Sequence, residues 1–145
     1  MIEQINSGQD VIAIIVRNDF TKEGVSFFTP NDFSQQLAYM KHPSGKVIYP
    51  HVHNLIERQV LHTNEVLFIK KGKLRVDLYN CEKKYLESRI LSSGDIILLV
   101  SGGHGFEVLE PVEMFEVKQG PYVGDHTKTR FDGVASSEIV LEKKI

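Results

Sequence analysis

The chain has one cysteine, Cys81, so no disulfide can form within it. That excludes the small secreted scaffolds that disulfides staple together, and fits a reducing compartment. It has no charge excess of either sign, the net charge being −2. A basic groove for nucleic acid and a polybasic patch for a membrane surface are excluded with it. It has no long apolar run. The longest, 11–16 and 96–100, fall far short of the ~20 residues that a helix needs to cross a bilayer. The start, MIEQINSGQD, lacks the basic and apolar stretches of a signal peptide, which predicts a cytoplasmic protein. There is no repeat, low-complexity tract or domain linker. What remains is one domain in 145 residues, enough to close a single core.

Short apolar segments punctuated by turn residues fill that length. Residues 11–16 (VIAIIV) are rich in β-branched side chains and are followed by Asn18. Residues 24–28 end before Pro30. Residues 46–49 follow the turn Pro43-Ser44-Gly45, and 66–69 run into Lys71-Gly72. Leu74, Val76 and Leu78 alternate with Arg75 and Asp77, the pattern of a half-buried strand. Further segments span 85–91, 96–100, 106–109 and 112–117. Strands of this length between Gly, Pro, Ser and Asn turns predict an all-β sandwich or barrel. Residues 31–40 are passable as a helix capped by Asn31 or Asp32, and equally as a strand. From Gly120 onward the pattern turns irregular, as expected of a tail laid over the barrel or against a partner.

The six histidines carry more information than the lysines and arginines. On a strand, His51 and His53 would share one face, because side chains alternate with period two. Two imidazoles on one face can chelate a metal ion if neighbouring strands bring other ligands. Glu65 opens a strand and shares its face with Leu67 and Ile69. A carboxylate on an apolar face needs a partner or a cation. His104 follows Gly102-Gly103, which would let the backbone turn sharply and aim the imidazole inward. His62 and His126 read as loop residues and His42 as structural. Arg58 and Arg89 could hold a phosphate or carboxylate, or lie on a solvated strand face. Tyr49, Tyr79 and Tyr122 read as core or interface residues, although a tyrosine at a barrel mouth can act as an acid.

These residues resemble the cupin motifs. The first motif, G-x5-H-x-H followed by E-x6-G, is matched by Gly45, His51, His53, Glu65 and Gly72. Glu57 lies nearer His53 and competes with Glu65 for the carboxylate role. The second motif is similar to Gly94-Asp95 together with Val100-Ser-Gly-Gly-His104. The segments 65–77, 98–106 and 116–122 look like small cupins of bacterial surface-polysaccharide gene clusters. The resemblance implies a cupin-type double-stranded β-helix, a jelly-roll barrel, as a single domain over 1–145. Its motif core would span 45–118, with an N-terminal strand extension over 1–44 and a tail over 119–145.

It also implies a divalent metal (Fe, Mn, Ni or Zn) held by His51, His53, Glu65 and His104. His51, Glu65 and His104 would be the catalytic residues. The substrate implied is a small carbohydrate, a sugar or sugar-nucleotide, turned over by an isomerase or epimerase of polysaccharide biosynthesis. A metal-free version would have a histidine remove a proton beside a keto group and a tyrosine return one. An iron-dependent dioxygenase and a non-catalytic ligand-binding module are the alternatives. A homodimer is expected, because residues 12–16 and 66–68 are apolar on both faces.

Overall fold

A computed structural model describes residues 1–141. The C-terminal end of the predicted tail, 142–145, lies outside the described residues. The chain is all-β. The strands are β1 (Ile2–Ser7), β2 (Asp10–Val16), β3 (Gly24–Phe27), β4 (Ala38–Lys41), β5 (Glu65–Tyr79), β6 (Tyr85–Ser92), β7 (Ile96–Leu99) and β8 (Gly103–Lys118). Two short 3-10 turns, Asp125–Thr127 and Ser136–Glu138, follow. The stretch 31–40 forms no helix. It gives a turn held by Gln36, whose side chain bonds Thr29, Pro30 and Phe33, and then β4. Among the described residues no helix is long and apolar enough to cross a membrane.

The main sheet has six strands in an antiparallel order β1-β2-β7-β5-β6, with β8 on the other side of β5. A separate two-stranded sheet joins β3 to β4. The 15-residue β5 is the axis of the fold. Its first half pairs with β7 and its second half with β6, while β8 follows it along both halves. The bend falls where the register shifts, between Ile69 and Leu74. Gly72 sits there at φ +88°, backed against the Pro111 carbonyl of β8. The corner between β6 and β7 is tied to the same bend, since Ile69 N–H donates to Asp95 O and Gly94 N–H to Ile69 O. Three bent ribbons lie side by side, and the sheet curls into a half-barrel.

The core occupies the inner face of the curl. Ile12, Ala13, Ile15, Leu67, Ile69, Leu74, Val76, Leu78, Leu91, Ile97 and Leu99 pack there, nearly all fully buried. Each aliphatic side chain so buried contributes about 1.5–3 kcal/mol. The alternation that produces this face is visible in β5, where Leu67, Ile69, Leu74, Val76 and Leu78 point in. On the outer face Ile14 and Leu98 are also covered, so the double-faced strands find much of their cover within one chain.

Asp95 holds the curl together from outside the core. It is buried, and accepts from Asn18 N–H (2.9 Å), Ser92 N–H (2.8 Å) and Arg17 Nη1 (3.0 Å). Arg17 also pairs with Glu3, which in turn bonds Arg89, so β1, β6 and the turns after β2 and β6 share one charge network. Asp95→Ala would leave two N–H groups without their acceptor and take from Arg17 one of its two carboxylates, Glu3 remaining. It is expected to lower unfolding free energy by about 3–5 kcal/mol in urea titration. An unchanged urea midpoint would show the network to be dispensable.

Candidate functional site

The site forms where the two ends of β8 meet the start of β5 across the curl. The register places Glu65 opposite Lys118 and Leu78 opposite His104. Residues directly opposite share a face, so Glu65, Lys118 and His104 all face into the curl. His104 Nε2 stands 3.3 Å from Glu65 Oε2, and Lys118 Nζ stands 3.3 Å from Glu65 Oε1. Lys118 Nζ also reaches Glu116 Oε1 at 3.2 Å. Glu65 is 8% exposed, the kind of burial a carboxylate tolerates only with partners on both oxygens. The His104 imidazole donating toward it, with Lys118 beside it, holds the Glu65 carboxyl down at about 2 against the desolvation that pushes the other way. Glu116 and Glu65 together hold the Lys118 ammonium above its usual value.

The glycines before His104 do what their chemistry requires. Gly102 has φ +72°, and a Cβ there would strike the Tyr79 carbonyl. Gly103 lies flat against the ring of Phe131. The tail thus folds back over the mouth of the curl. Phe131 meets Tyr79 edge to face at 5.0 Å, and the Tyr79 hydroxyl accepts from Val134 N–H at 2.9 Å. Farther along, Ser88 N–H donates to Val140 O at 2.7 Å.

Strand and tail together line a half-open cavity of about 820 Å3. Glu65, His104 and Lys118 line it, with the aromatic rings of Tyr79, Phe106, Tyr122 and Phe131 and the cations Lys83, Lys128 and Arg130. Such a volume suits a drug-sized or nucleotide-sized ligand. Its mixture of rings and cations suits a molecule with a planar base and negative charge. The carboxylate can only accept, so the His104 nitrogen facing it carries the proton. Nδ1 of a neutral imidazole then keeps its lone pair for a ligand.

The other half of the expected site lies elsewhere. His51 and His53 are in the stretch between β4 and β5, which forms no strand and is exposed throughout 43–63. Their rings meet edge to face at 5.3 Å, and His51 Nδ1 is 2.9 Å from Tyr49 O. Neither lines the cavity. The predicted strand over 46–49 does not form and has no strand partner among the described residues. Glu57, Arg58 and His62 are exposed on the same stretch, so of the two carboxylates it is Glu65 that meets His104. Arg89 takes no part in the cavity, being paired with Glu3 at 3.0 Å and Glu87 at 2.8 Å.

The donor set that one chain brings together does not fit the expected divalent metal. Glu65 and His104 converge alone, and the Lys118 ammonium occupies the second carboxylate oxygen. Among the described residues no three His, Cys, Asp or Glu side chains stand where they could hold an ion.

Three contributors were not legible in the sequence. Lys118 enters only through its register with Glu65. Arg130 and Phe131 enter because the tail returns across Gly103. The Gly102-Gly103 pair was the one local signal that the backbone would be approached closely there. No protein-family model, curated protein or solved structure matches the chain, so its reading rests on the half-barrel and this cavity.

Proposed function

We propose that the chain is a cupin-type jelly roll whose cavity binds a nucleoside-diphosphate sugar and moves a proton beside a keto group, as an isomerase or epimerase. The observation that carries this reading is the Glu65–His104 pair on the wall of a cavity rich in aromatic rings and cations. A carboxylate-oriented imidazole is the arrangement of a general base. The base of the nucleotide would stack on an exposed ring such as Tyr122, and the diphosphate would meet Lys128 and Arg130. His104 would take the proton from the carbon next to the carbonyl, leaving an enolate. Lys118, or the Tyr122 hydroxyl, is placed in the same cavity to stabilise that oxygen or to return a proton. The proton goes back to a neighbouring carbon or to the opposite face of the same carbon, so no oxidant or reductant is consumed. Surface-polysaccharide assembly is a setting in which such keto-sugar nucleotides are handled, in line with the sequence resemblance.

The test is solvent exchange. The protein is incubated in D2O with a panel of nucleoside-diphosphate keto-sugars and followed by proton NMR. The expected result is loss of the proton next to the carbonyl, ahead of or together with conversion to the isomer. Binding without exchange would make the chain a ligand-binding module. Neither binding nor exchange across the panel would sink the reading.

A further inference from the structure

We propose that two copies of this chain exchange the arm 42–62. Each arm lies along β8 of the other copy and closes its half-barrel, so that His51 and His53 of one copy enter the pocket that holds Glu65 and His104 of the second.

Area is the first argument. A compact monomer of 16.5 kDa exposes about 7,500 Å2. This chain exposes 10550 Å2. The excess is about 3,000 Å2 per chain, or about 6,000 Å2 for a pair, enough for the larger permanent homodimer interfaces.

The excess is concentrated on two surfaces that need each other. The arm carries Ile48, Tyr49, Val52, Leu55 and Leu61 at exposures from 60% to 104%. From 47 to 63 its backbone makes no backbone–backbone hydrogen bond among the described residues. A long structureless loop of apolar and β-branched residues is foreign to a closed domain, and its N–H and C=O groups want partners. β8 supplies the complement. It is a 16-residue strand paired on one side only, to β5. Phe106, Val108 and Met114, opposite the fully buried Val76, Leu74 and Ile69, are 39–56% exposed. The inner wall of the half-barrel is thus open along β8, a strand with one free edge.

Charge selects the occupant. β8 carries Glu107, Glu110, Glu113 and Glu116. Pairing β8 with a second β8 would set these carboxylates against one another. The arm carries Lys46, Arg58 and four histidines with Glu57 as its only acid. Reciprocal exchange closes under two-fold symmetry and covers the free edge of β8 in both copies. It also reunites, across two chains, residues that one chain keeps apart. The role of the shared pocket rests on the function proposed above, whereas the exchange itself does not.

The test needs no substrate. In a Cys81→Ser background, a His53→Cys chain and a His104→Cys chain carrying different tags are co-expressed and treated with a short bis-maleimide. Random pairing makes about half the dimers mixed. The expected result is a sedimenting species of twice the 16.5 kDa chain mass and a covalent product containing both tags. A chain carrying both cysteines should cross-link to a dimer. A monomer in sedimentation would overturn the proposal, and so would a double-cysteine chain that links only to itself. A dimer that yields no mixed product would overturn the exchange as well. Should His104→Cys fail to fold, Lys118→Cys replaces it, since that side chain lines the same cavity. Cross-linking of the variants, together with no solvent exchange by the unsubstituted chain, would leave the arm exchange standing and remove the isomerase reading.

Discussion

His104→Gln is expected to lower kcat for keto-sugar proton exchange by about 10²–10⁴-fold, the usual contribution of a positioned general base. The imidazole is 30% exposed, and a glutamine amide can still donate to the buried Glu65 carboxylate, so the fold stays in place. A melting temperature within a few degrees of the parent would separate the two effects. Glu65→Gln would act through His104. The amide keeps the shape but loses the charge that orients the ring, so turnover falls while binding, set by the rings and cations of the cavity, changes little. An unaltered kcat in both variants would remove this pair from the chemistry.

The same pair makes a prediction about acid stability. The Glu65 carboxyl is lowered from 4.5 to about 2. A depressed carboxylate stabilises the fold fully above its unfolded value and stops doing so as pH falls through the folded one. The contribution of Glu65, on the order of 2–3 kcal/mol, is therefore present above pH 4.5 and is lost between 4.5 and about 2. The stability gap between parent and Glu65→Gln should narrow over that window in chemical unfolding curves. A gap independent of pH there would show that the charge of Glu65 is not what matters.

The second large effect is structural. Gly72→Ala is expected to cost about 3–5 kcal/mol, a large share of the ~5–15 kcal/mol that holds a domain of this size together. Two penalties combine. At φ +88° an L side chain is strained. The new Cβ would also overlap the Pro111 carbonyl and approach Val112 Cα, and backbone cannot swing aside as a side chain can. β5 and β8 would have to separate at the bend on which the curl depends. Gly105→Ala is the matching control. It lies on the same strand pair with an ordinary φ and open space around its Cβ, so its cost should stay under about 1 kcal/mol. Equal midpoints for the two variants in urea would contradict the role given to Gly72.

The segments around these residues show how far local pattern reaches. The stretches 66–69 and 74–78 read as two strands, and so did 106–109 and 112–117. Each pair is one long strand carried through a bend, because Gly72 and Pro111 interrupt the alternation without ending the pairing. β1 was missed because its apolar residues, Ile2 and Ile5, stand three apart and show no period-two alternation. Its pairing with β2, register Ile2 with Val16, supplies what its composition does not. The stretch 46–49 has strand composition and no strand, since among the described residues it pairs with none of the edges the fold offers.

Local chemistry determined most of the strands, the inward aim of Glu65 beside Leu67 and Ile69, and the close turn before His104. Those follow from period-two alternation and from the backbone freedom of glycine, which a sequence displays residue by residue. The tertiary structure decided which side chains meet. Glu65 met His104 and Lys118, and not His51 and His53, through the register of β5 against β8, which brings together positions far apart in the chain. Register is settled by bulges and by the total fit of two faces, and neither is a property of any short stretch.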